Sequence, residues 1–514
     1  MKNSHMTIGI IDIGSNSIRL AIYEATPQGE YRLIQEIKES ARLSEKMNSG
    51  GAMERKDVLL IVPILEQFRE ICAVYGCRQI RVAATAAIRN AANAGEIAEL
   101  LTQHTGLEIE ILTGEQEAYF GFLGVAGAMA EEDGFIIDIG GGSTEITLFR
   151  ARKLLHSISL PLGAVNAQVK FGNGKEPWTA ENAANLAGEI ERMLSGHPWM
   201  AAHPGLPLIG LGGTIRTLGK LDQRRRKYPL RLAHYYRVAP ESIRHYAETL
   251  PFMPLEKRKR LDGLSKARAD IIAPGLIILQ TVFARIGADC CLISGAGLRE
   301  GLLQDALGLQ VPAASEVLAL QARGLLAFHN QSPLAHFQQV SLYAVRLHDL
   351  LLGAAATGGA KTRQIAAAAA MLYKIGGAVR YHQYDKHTLY WLTQAPLGAL
   401  THREAVICGY AADYPANHGK KMNLENYREL LAEGDEILIQ KLGAIVEAAV
   451  ALDTSETQNV ELLKAEASSG ALLLTLKCRS QAYLEIRQLE TAAKSFKKAW
   501  ELRLEWEVRS SSTR

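Results

Sequence analysis

The stretch TIGIIDIG at residues 7–14 returns almost unchanged as GFIIDIG at residues 134–140. In each copy an apolar run ends at Asp-Ile-Gly, a small polar turn follows, and a second run of strand-like residues begins. This switch of pattern across a turn is typical of a β-hairpin. A hairpin repeated at this spacing predicts a duplicated α/β unit with a cleft between its two copies.

The turns of both copies are suited to binding phosphate. Glycine lets backbone N–H groups approach an anion without obstruction from a Cβ atom. The preceding Asp places a carboxylate where Mg²⁺ can be held through oxygen. A single turn of this kind is explained equally well by a tight hairpin. Two copies in register, Asp12–Ser17 and Asp138–Glu145, with three consecutive glycines in the second, predict a phosphate site.

Three further segments are candidates for the same site. Gly-rich turns at Gly210–Thr214 and Ser294–Gly297 each separate an apolar strand from a predicted helix, where anions bind favourably, although either is also an ordinary connection. Glu115 and Glu117 open another predicted helix. Acidic residues are expected there for dipole reasons alone, but the position shortly before the second phosphate loop favours a functional role for one of them.

Composition narrows the class of protein. The chain has 514 residues, 48% hydrophobic and 22% charged, with a net charge of +3, which does not indicate a nucleic-acid or membrane-surface partner. Six cysteines without metal-ligand spacing argue against a zinc site and fit a reducing compartment. No signal peptide and no membrane span are predicted, so we expect a cytoplasmic protein. Two basic runs, Arg224–Lys227 and Lys257–Arg260, are either solvated faces or a surface for a polyanion.

Several motifs in chain order resemble the exopolyphosphatase / guanosine pentaphosphate phosphatase (Ppx/GppA) family over about residues 7–303. The motifs that carry the resemblance are Asp12–Ser17, Thr85–Arg89, Gly114–Ala118, Asp138–Glu145, Leu160–Val165, Gly212–Thr214, Arg268–Asp270 and Ser294–Gly301.

The resemblance implies an α/β protein with two actin-like (ribonuclease H-like, ASKHA) domains, followed by a mainly α-helical, HD-like domain. We predict actin-like domain I over residues 1–128, actin-like domain II over residues 129–307, and the HD-like domain over residues 314–514. The stretch from Gly308 to Ser315 is the expected linker. The resemblance also implies a homodimer.

The same resemblance implies a role for each candidate residue. Glu117 matches the general base that activates water, and Asp138 and Glu145 match the acidic positions that hold Mg²⁺. The matching phosphate-binding residues are Asp12, Gly14, Ser15, Asn16, Arg89, Gly141, Gly142, Ser143, Thr144, Gly212 and Gly213. This division agrees with phosphoryl transfer, which needs charge neutralisation and alignment more than covalent chemistry.

The HD-like region departs from the metal-binding pattern. His336 and Asp453 match the first and last ligands, but Tyr373 and Lys374 stand where an adjacent His-Asp pair is expected. A tyrosine and a cationic lysine do not reproduce that dinuclear site. The metal motif is therefore degenerate, and we expect this domain to contribute binding surface and dimer contacts.

The resemblance implies processive removal of terminal phosphate from inorganic polyphosphate. Hydrolysis of guanosine pentaphosphate (pppGpp) is the alternative, because the chemistry at the terminal phosphoanhydride is the same. The basic runs and the long third domain favour the polyanion. A non-catalytic phosphate sensor conflicts with retention of Glu117, Asp138 and Glu145. A sugar kinase is conceivable on fold alone, but the Gly-Gly-Gly-Ser-Thr-Glu loop speaks against it.

Overall fold

A computed structural model describes residues 5–48, 50–329, 332–353, 359–395, 397–417, 422–468 and 470–509. The chain divides into two compact units, Met1–Ala314 and Ser315–Arg514. The predicted boundary between two actin-like domains after residue 128 falls inside the first unit and stays a prediction. The first unit contains the two predicted hairpins.

The first half of this unit is a five-stranded sheet with the order β3-β2-β1-β4-β5. Its strands are β1 (Met6–Ile13), β2 (Ser17–Ala25), β3 (Tyr31–Ser40), β4 (Gln79–Ala84) and β5 (Ile109–Ile111). The helices of this half are α1 (Arg55–Leu59), α2 (Val62–Val74), α3 (Ala86–Arg89), α4 (Ala94–Thr105) and α5 (Gly114–Ala128).

The second half is a six-stranded sheet with the order β10-β11-β9-β6-β7-β8. Its strands are β6 (Gly134–Ile139), β7 (Thr144–Arg150), β8 (Lys153–Leu160), β9 (Leu208–Leu211), β10 (Arg237–Val238) and β11 (Cys291–Ile293). Its helices are α6 (Ala164–Phe171), α7 (Ala180–Leu194), α8 (Gly212–Arg225), α9 (Pro240–Thr249), α10 (Leu255–Arg258), α11 (Ile272–Ile286) and α12 (Leu298–Ala306).

The two sheets repeat one topology. In the first, β1 pairs antiparallel with β2 and parallel with β4. In the second, β6 pairs in the same way with β7 and β9. Apart from the short extra strand β10, the strand orders correspond one to one. The duplication that the repeated hairpin predicts is confirmed, and the molecule has the actin-like fold.

Helices α5 and α12 pack against each other between the sheets. A Cβ atom on Gly124 would lie 2.0 Å from the carbonyl oxygen of Gly297, and one on Gly301 would lie 1.8 Å from the carbonyl oxygen of Phe120. Only glycine permits so close an approach of two backbones. The same core takes Ile10 from the first sheet and Ile136 from the second. This shared core fixes the two hairpin turns relative to each other.

The second unit is mainly helical, as predicted, and it also contains a small sheet. Its helices are α13 (Ala314–His329), α14 (Leu334–Leu351), α15 (Gly359–Leu372), α16 (Tyr384–Gln394), α17 (His402–Asn417), α18 (Asp435–Ala451) and α19 (Tyr483–Trp500). The sheet has the order β12-β13-β14, with strands β12 (Val460–Ser468), β13 (Ala471–Cys478) and β14 (Arg503–Arg509).

One prediction in the second unit is wrong in part. The proline and asparagine content near residues 412–424 indicates a loop, but α17 continues through Pro415 to Asn417. Tyr414 and Pro415 are buried. Burial of this apolar face offsets the backbone hydrogen bond that a proline removes. Residues 418–421, also within the predicted loop, lie outside the described residues.

Candidate active site

The two hairpins place different partners opposite their aspartates. Asp12 on β1 lies opposite Arg19 on β2, whereas Asp138 on β6 lies opposite Glu145 on β7. Residues directly opposite each other in an antiparallel pair project to the same face. One aspartate therefore has a cation as its neighbour and the other has a second carboxylate. The chain duplication thus yields a chemically asymmetric site.

The hairpin turns approach each other closely. Each is closed by the same backbone hydrogen bond, from Gly14 N to Ser17 O at 3.2 Å and from Gly140 N to Ser143 O at 3.0 Å. A Cβ atom on Gly141 would lie 2.9 Å from Cβ of Ser15. The second loop therefore touches the first at a point where a side chain does not fit.

A cleft of about 140 Å³ lies between these turns. Most of the residues predicted from sequence line it. They are Asp12, Gly14, Ser15, Asn16, Glu117, Asp138, Gly141, Gly142, Ser143, Gly212 and Gly213. The structure thus brings together residues from both sheets, from the start of α5 and from the start of α8.

Three predicted residues lie behind the lining of the cleft. The Thr144 hydroxyl donates to the carbonyl oxygen of Leu162 at 2.7 Å. Glu145 is 4% exposed. Arg89 Nη1 donates to Glu117 Oε2 at 2.6 Å, and its Nη2 lies 3.7 Å from Glu145 Oε1. Arg89 and Glu145 are therefore placed to position Glu117, and their direct contacts with phosphate or metal stay predictions.

Glu117 is held at the cleft by the way α5 begins. The Thr113 side chain accepts a hydrogen bond from the Gln116 backbone, and the Gln116 side chain accepts one from the Thr113 backbone, which forms a capping box. A Cβ atom on Gly114 would lie 2.4 Å from Cβ of Ser159, so the first turn packs directly on β8. The cap and this close packing leave the Glu117 side chain little freedom of position.

The carboxylates of the site hold their protons more tightly than usual. Burial and the charge of Glu145 raise the pKa of Glu117 well above its ordinary value, against the opposing effect of Arg89. Burial also raises the pKa of Glu145 to about 7 and that of Asp138 to about 6. Burial is again the main cause that raises the pKa of Asp12. A carboxylate with such a pKa is suited to accept a proton near neutral pH.

A pH dependence follows from the raised pKa of Glu117. A general base works only when ionised, so kcat/KM falls as pH falls through this pKa. The Glu145→Gln change removes the neighbouring negative charge that helps to raise the pKa of Glu117. We expect the acidic limb of the Glu145→Gln profile to move to lower pH than that of wild type, in profiles measured between about pH 5 and about pH 9. Glu115→Gln, an exposed change two residues before Glu117, leaves the limb in place; an unmoved limb in Glu145→Gln contradicts the assignment.

The cleft is also lined by four arginines that were not among the predicted site residues: Arg19, Arg216, Arg268 and Arg299. Burial and the charges of Arg19 and Arg299 lower the pKa of Arg216. Burial, Arg19 and Arg216 lower the pKa of Arg268 to about 10. Three of these arginines lie in or beside the motifs that carry the family resemblance. Arg268 and Arg299 fall within two of the motifs, and Arg216 follows Gly212–Thr214 by two residues.

Two of these arginines have unmet bonding capacity. Among the described residues, the guanidinium groups of Arg216 and Arg268 have no hydrogen-bond or ion-pair partner, although the backbone of Arg268 donates to Ser265 O at 3.0 Å. The guanidinium of Arg268 lies over Gly213, where a Cβ atom would be 1.9 Å from its Cζ. Guanidinium groups that repel one another in a partly buried cleft favour a bound polyanion, which offers the oxygen acceptors that they lack.

The carboxylates of the cleft can supply part of the coordination shell of Mg²⁺. Among the described residues, no group of three or more His, Cys, Asp or Glu side chains is arranged to hold a metal ion. Mg²⁺ commonly takes only one or two protein carboxylates and completes its shell with water and phosphate oxygens. Asp138 lines the cleft with a raised pKa and can supply such a ligand. The donor set suits a metal that arrives together with phosphate.

The residues of the degenerate metal motif in the second unit contact one another. His336 Nδ1 lies 2.9 Å from Asp453 Oδ2, and its Nε2 lies 2.9 Å from the Tyr373 hydroxyl. Burial raises the pKa of Tyr373, which keeps its hydroxyl a donor. Lys374 Nζ pairs with Glu456 at 2.6 Å. Both ring nitrogens of the histidine are occupied, so the degenerate motif forms a buried polar cluster.

Gly163 offers a test of the loop geometry. A Cβ atom there would lie 2.6 Å from the carbonyl carbon of Gly141 and 2.7 Å from the amide nitrogen of Gly142. Because backbone cannot yield as a side chain does, we expect Gly163→Ala to displace the glycine loop. The expected result is at least a tenfold loss of kcat/KM and about 1–3 kcal/mol of stability, measured by phosphate release and denaturant unfolding. Gly188→Ala, on α7 where a Cβ atom meets no neighbour, should instead raise the free energy of unfolding by about 0.5–1 kcal/mol.

Two sheets of the same topology, whose paired glycine loops line one cleft, define a protein of the actin-like class. The chain belongs to the Ppx/GppA phosphatase family. The model of that family matches residues 21–310, and the model of the Ppx/GppA phosphatase domain III matches residues 328–495. The family predicted from the motifs is confirmed.

Solved structures agree with this assignment. The crystal structure of the Aquifex aeolicus member of the Ppx/GppA family is 30% identical, with a TM-score of 0.52, over 59% of this chain and 98% of that chain. A second structure of the Aquifex aeolicus enzyme is 30% identical, with a TM-score of 0.51, over 59% and 99%. An exopolyphosphatase from Cytophaga hutchinsonii, 21% identical with a TM-score of 0.54 over 60% and 99%, shows the shared fold.

The described residues contain no helix with the length and hydropathy needed to cross a membrane.

Proposed function

We propose that this phosphatase is an exopolyphosphatase that removes the terminal phosphate of inorganic polyphosphate. The observation that carries the proposal is that four arginines line the same cleft as Glu117 and Asp138. Such a cleft recognises a chain of phosphates by charge alone. No aromatic ring is found in its lining within the described residues, so nothing there stacks on a guanine base.

In the proposed reaction, the ionised Glu117 takes a proton from a water molecule whose oxygen attacks the terminal phosphorus. The bond from that phosphorus to the bridging oxygen breaks, and the bridging oxygen leaves as the new chain end. Arg89 orients Glu117 through its 2.6 Å contact. Arg216 and Arg268 neutralise charge on the phosphate oxygens. Mg²⁺ held by Asp138, with Glu145 behind it, supplies further charge neutralisation when bound.

The test is a phosphate-release assay with Mg²⁺ on long polyphosphate, tripolyphosphate and pppGpp. We expect long polyphosphate to have the highest kcat/KM, and chelation of the metal to abolish release. A preference for pppGpp of tenfold or more, about 1.4 kcal/mol of discrimination, would replace this proposal with the nucleotide phosphohydrolase. A homodimer is part of the proposal, and light scattering at several concentrations tests it.

A further inference from the structure

A second, basic pocket lies in the first unit at the far end of α8. Its volume is about 640 Å³. One wall carries Lys220 and Arg224 on α8, followed by Lys227 and Arg231, and the opposite wall is the segment 262–265. None of these residues belongs to the site described above.

The pocket has a strong excess of positive charge. Four of its lining side chains are cations, and within the described residues Asp262 is the one carboxylate in the lining. The Asp262 side chain is 77% exposed and lies 3.5 Å from Nε of Arg224. An exposed ion pair of this kind contributes little to stability, so Arg224 can readily exchange the Asp262 carboxylate for another anion. Three positive charges, four less one, are left for a ligand.

The first basic run divides into two functional halves. Arg225 and Arg226 bind the buried Asp222 at 2.9 Å and 3.3 Å, and so they serve the fold. Arg224 and Lys227 point instead into the basic pocket. The sequence leaves open whether this run is a solvated face or a polyanion surface, and the structure assigns Arg225 and Arg226 to ion pairs with the buried Asp222 and Arg224 and Lys227 to the pocket.

Two segments of the chain line both the basic pocket and the catalytic cleft. Helix α8 lines the cleft with Gly213 and Arg216, and it lines the basic pocket with Lys220 and Arg224. Residues four apart lie on one face of a helix, so Arg216, Lys220 and Arg224 form a row of cations about 12 Å long. On the other wall, Ser265 lines the basic pocket, and Arg268, three residues later, lines the cleft.

We propose that the basic pocket binds the distal phosphates of a linear polyphosphate whose end lies at Glu117. This inference rests on the proposed function and adds to it a second contact site on the same substrate. A row of separated cations suits a chain of repeating charges better than a compact anion, because each phosphate gains one neighbour along the row. The second site holds a long chain near the cleft after each cleavage, which favours repeated removal of its end.

The test compares two double variants that each remove one lysine and one arginine from exposed helical positions. Lys220→Ala/Arg224→Ala alters the pocket. Lys170→Ala/Arg192→Ala alters a surface pair that contacts Glu189 and is the control. For the pocket variant we expect KM for long polyphosphate to rise about tenfold, with kcat unchanged. Its kcat/KM for tripolyphosphate, a chain too short to reach the pocket, should stay within about twofold of wild type, and the control should match wild type on both substrates.

A second measurement separates this inference from the proposed function. Long polyphosphate is titrated against Glu117→Gln protein with and without the pocket substitutions, so that binding is measured without turnover. About tenfold weaker binding in the pocket variant supports the site whatever the wild type hydrolyses. Equal binding, or an equal rise of KM for long polyphosphate and tripolyphosphate, overturns it. Equally tight, pocket-dependent binding of a single-stranded RNA would also overturn it, in favour of a nucleic-acid site.

Discussion

Glu117→Gln is expected to lower kcat for phosphate release by about a thousandfold, within the usual contribution of a general base. The amide keeps the size of the side chain and still accepts a hydrogen bond from Arg89, but it does not take a proton from water. Binding of polyphosphate should be retained or slightly tighter, because a negative charge is lost beside an anion. Single-turnover phosphate release and direct titration with polyphosphate measure the two effects separately.

The matched control for this change is Glu115→Gln, which lies in the same first turn of α5 but is exposed. It should leave kcat within about twofold of wild type. Residual activity above about a tenth of wild type in Glu117→Gln would place the base elsewhere. A metal-dependent phosphatase activity that survives in the variant would show that the second unit holds a catalytic centre, contrary to the closed His336 cluster.

Arg268→Gln is expected to lower kcat/KM by about a hundredfold, mainly through KM. Each hydrogen bond to a charged group contributes about 1.5–3 kcal/mol, and 1.4 kcal/mol is a tenfold change. The stability of the free protein should not fall. Burial and the charges of Arg19 and Arg216 lower the pKa of Arg268 to about 10, so below that pH the charged form opposes folding and its removal relieves the repulsion.

Thermal unfolding with and without tripolyphosphate checks both parts of this prediction. At one ligand concentration, a ligand that binds the folded protein more tightly raises the melting temperature further. Tripolyphosphate should therefore raise the melting temperature of wild type more than that of Arg268→Gln. Without ligand, the variant should melt at the same temperature as wild type or at a higher one. Lys266→Gln, an exposed change in the same segment, is the control and should behave as wild type. A variant that melts lower and binds tripolyphosphate normally would make Arg268 a structural residue.

The chemistry that stands inside local motifs could be predicted from the sequence. The Asp-Ile-Gly turns are recognisable from composition and spacing. The position before the second turn favours a role for Glu115 or Glu117, and the family resemblance selects Glu117. Arg216 and Arg268 were not assigned in this way, because Arg268 lies inside a family motif and Arg216 follows one, but no local pattern shows that either side chain reaches the cleft. Their role depends on being gathered at one cleft with Arg19 and Arg299 and left there without partners.

The repeated stretch at residues 7–14 and 134–140 by itself predicted a duplicated α/β unit, and together with the later motifs it predicted the family, because strand pattern and glycine turns are local properties of the chain. Only the tertiary structure decided which charged groups surround the aspartate of each copy. It placed Arg19 opposite Asp12 but Glu145 opposite Asp138, set Arg89 between two carboxylates, and divided the basic run between Asp222 and an open pocket. Burial and charge–charge distance govern those roles, and both arise only when distant segments pack together.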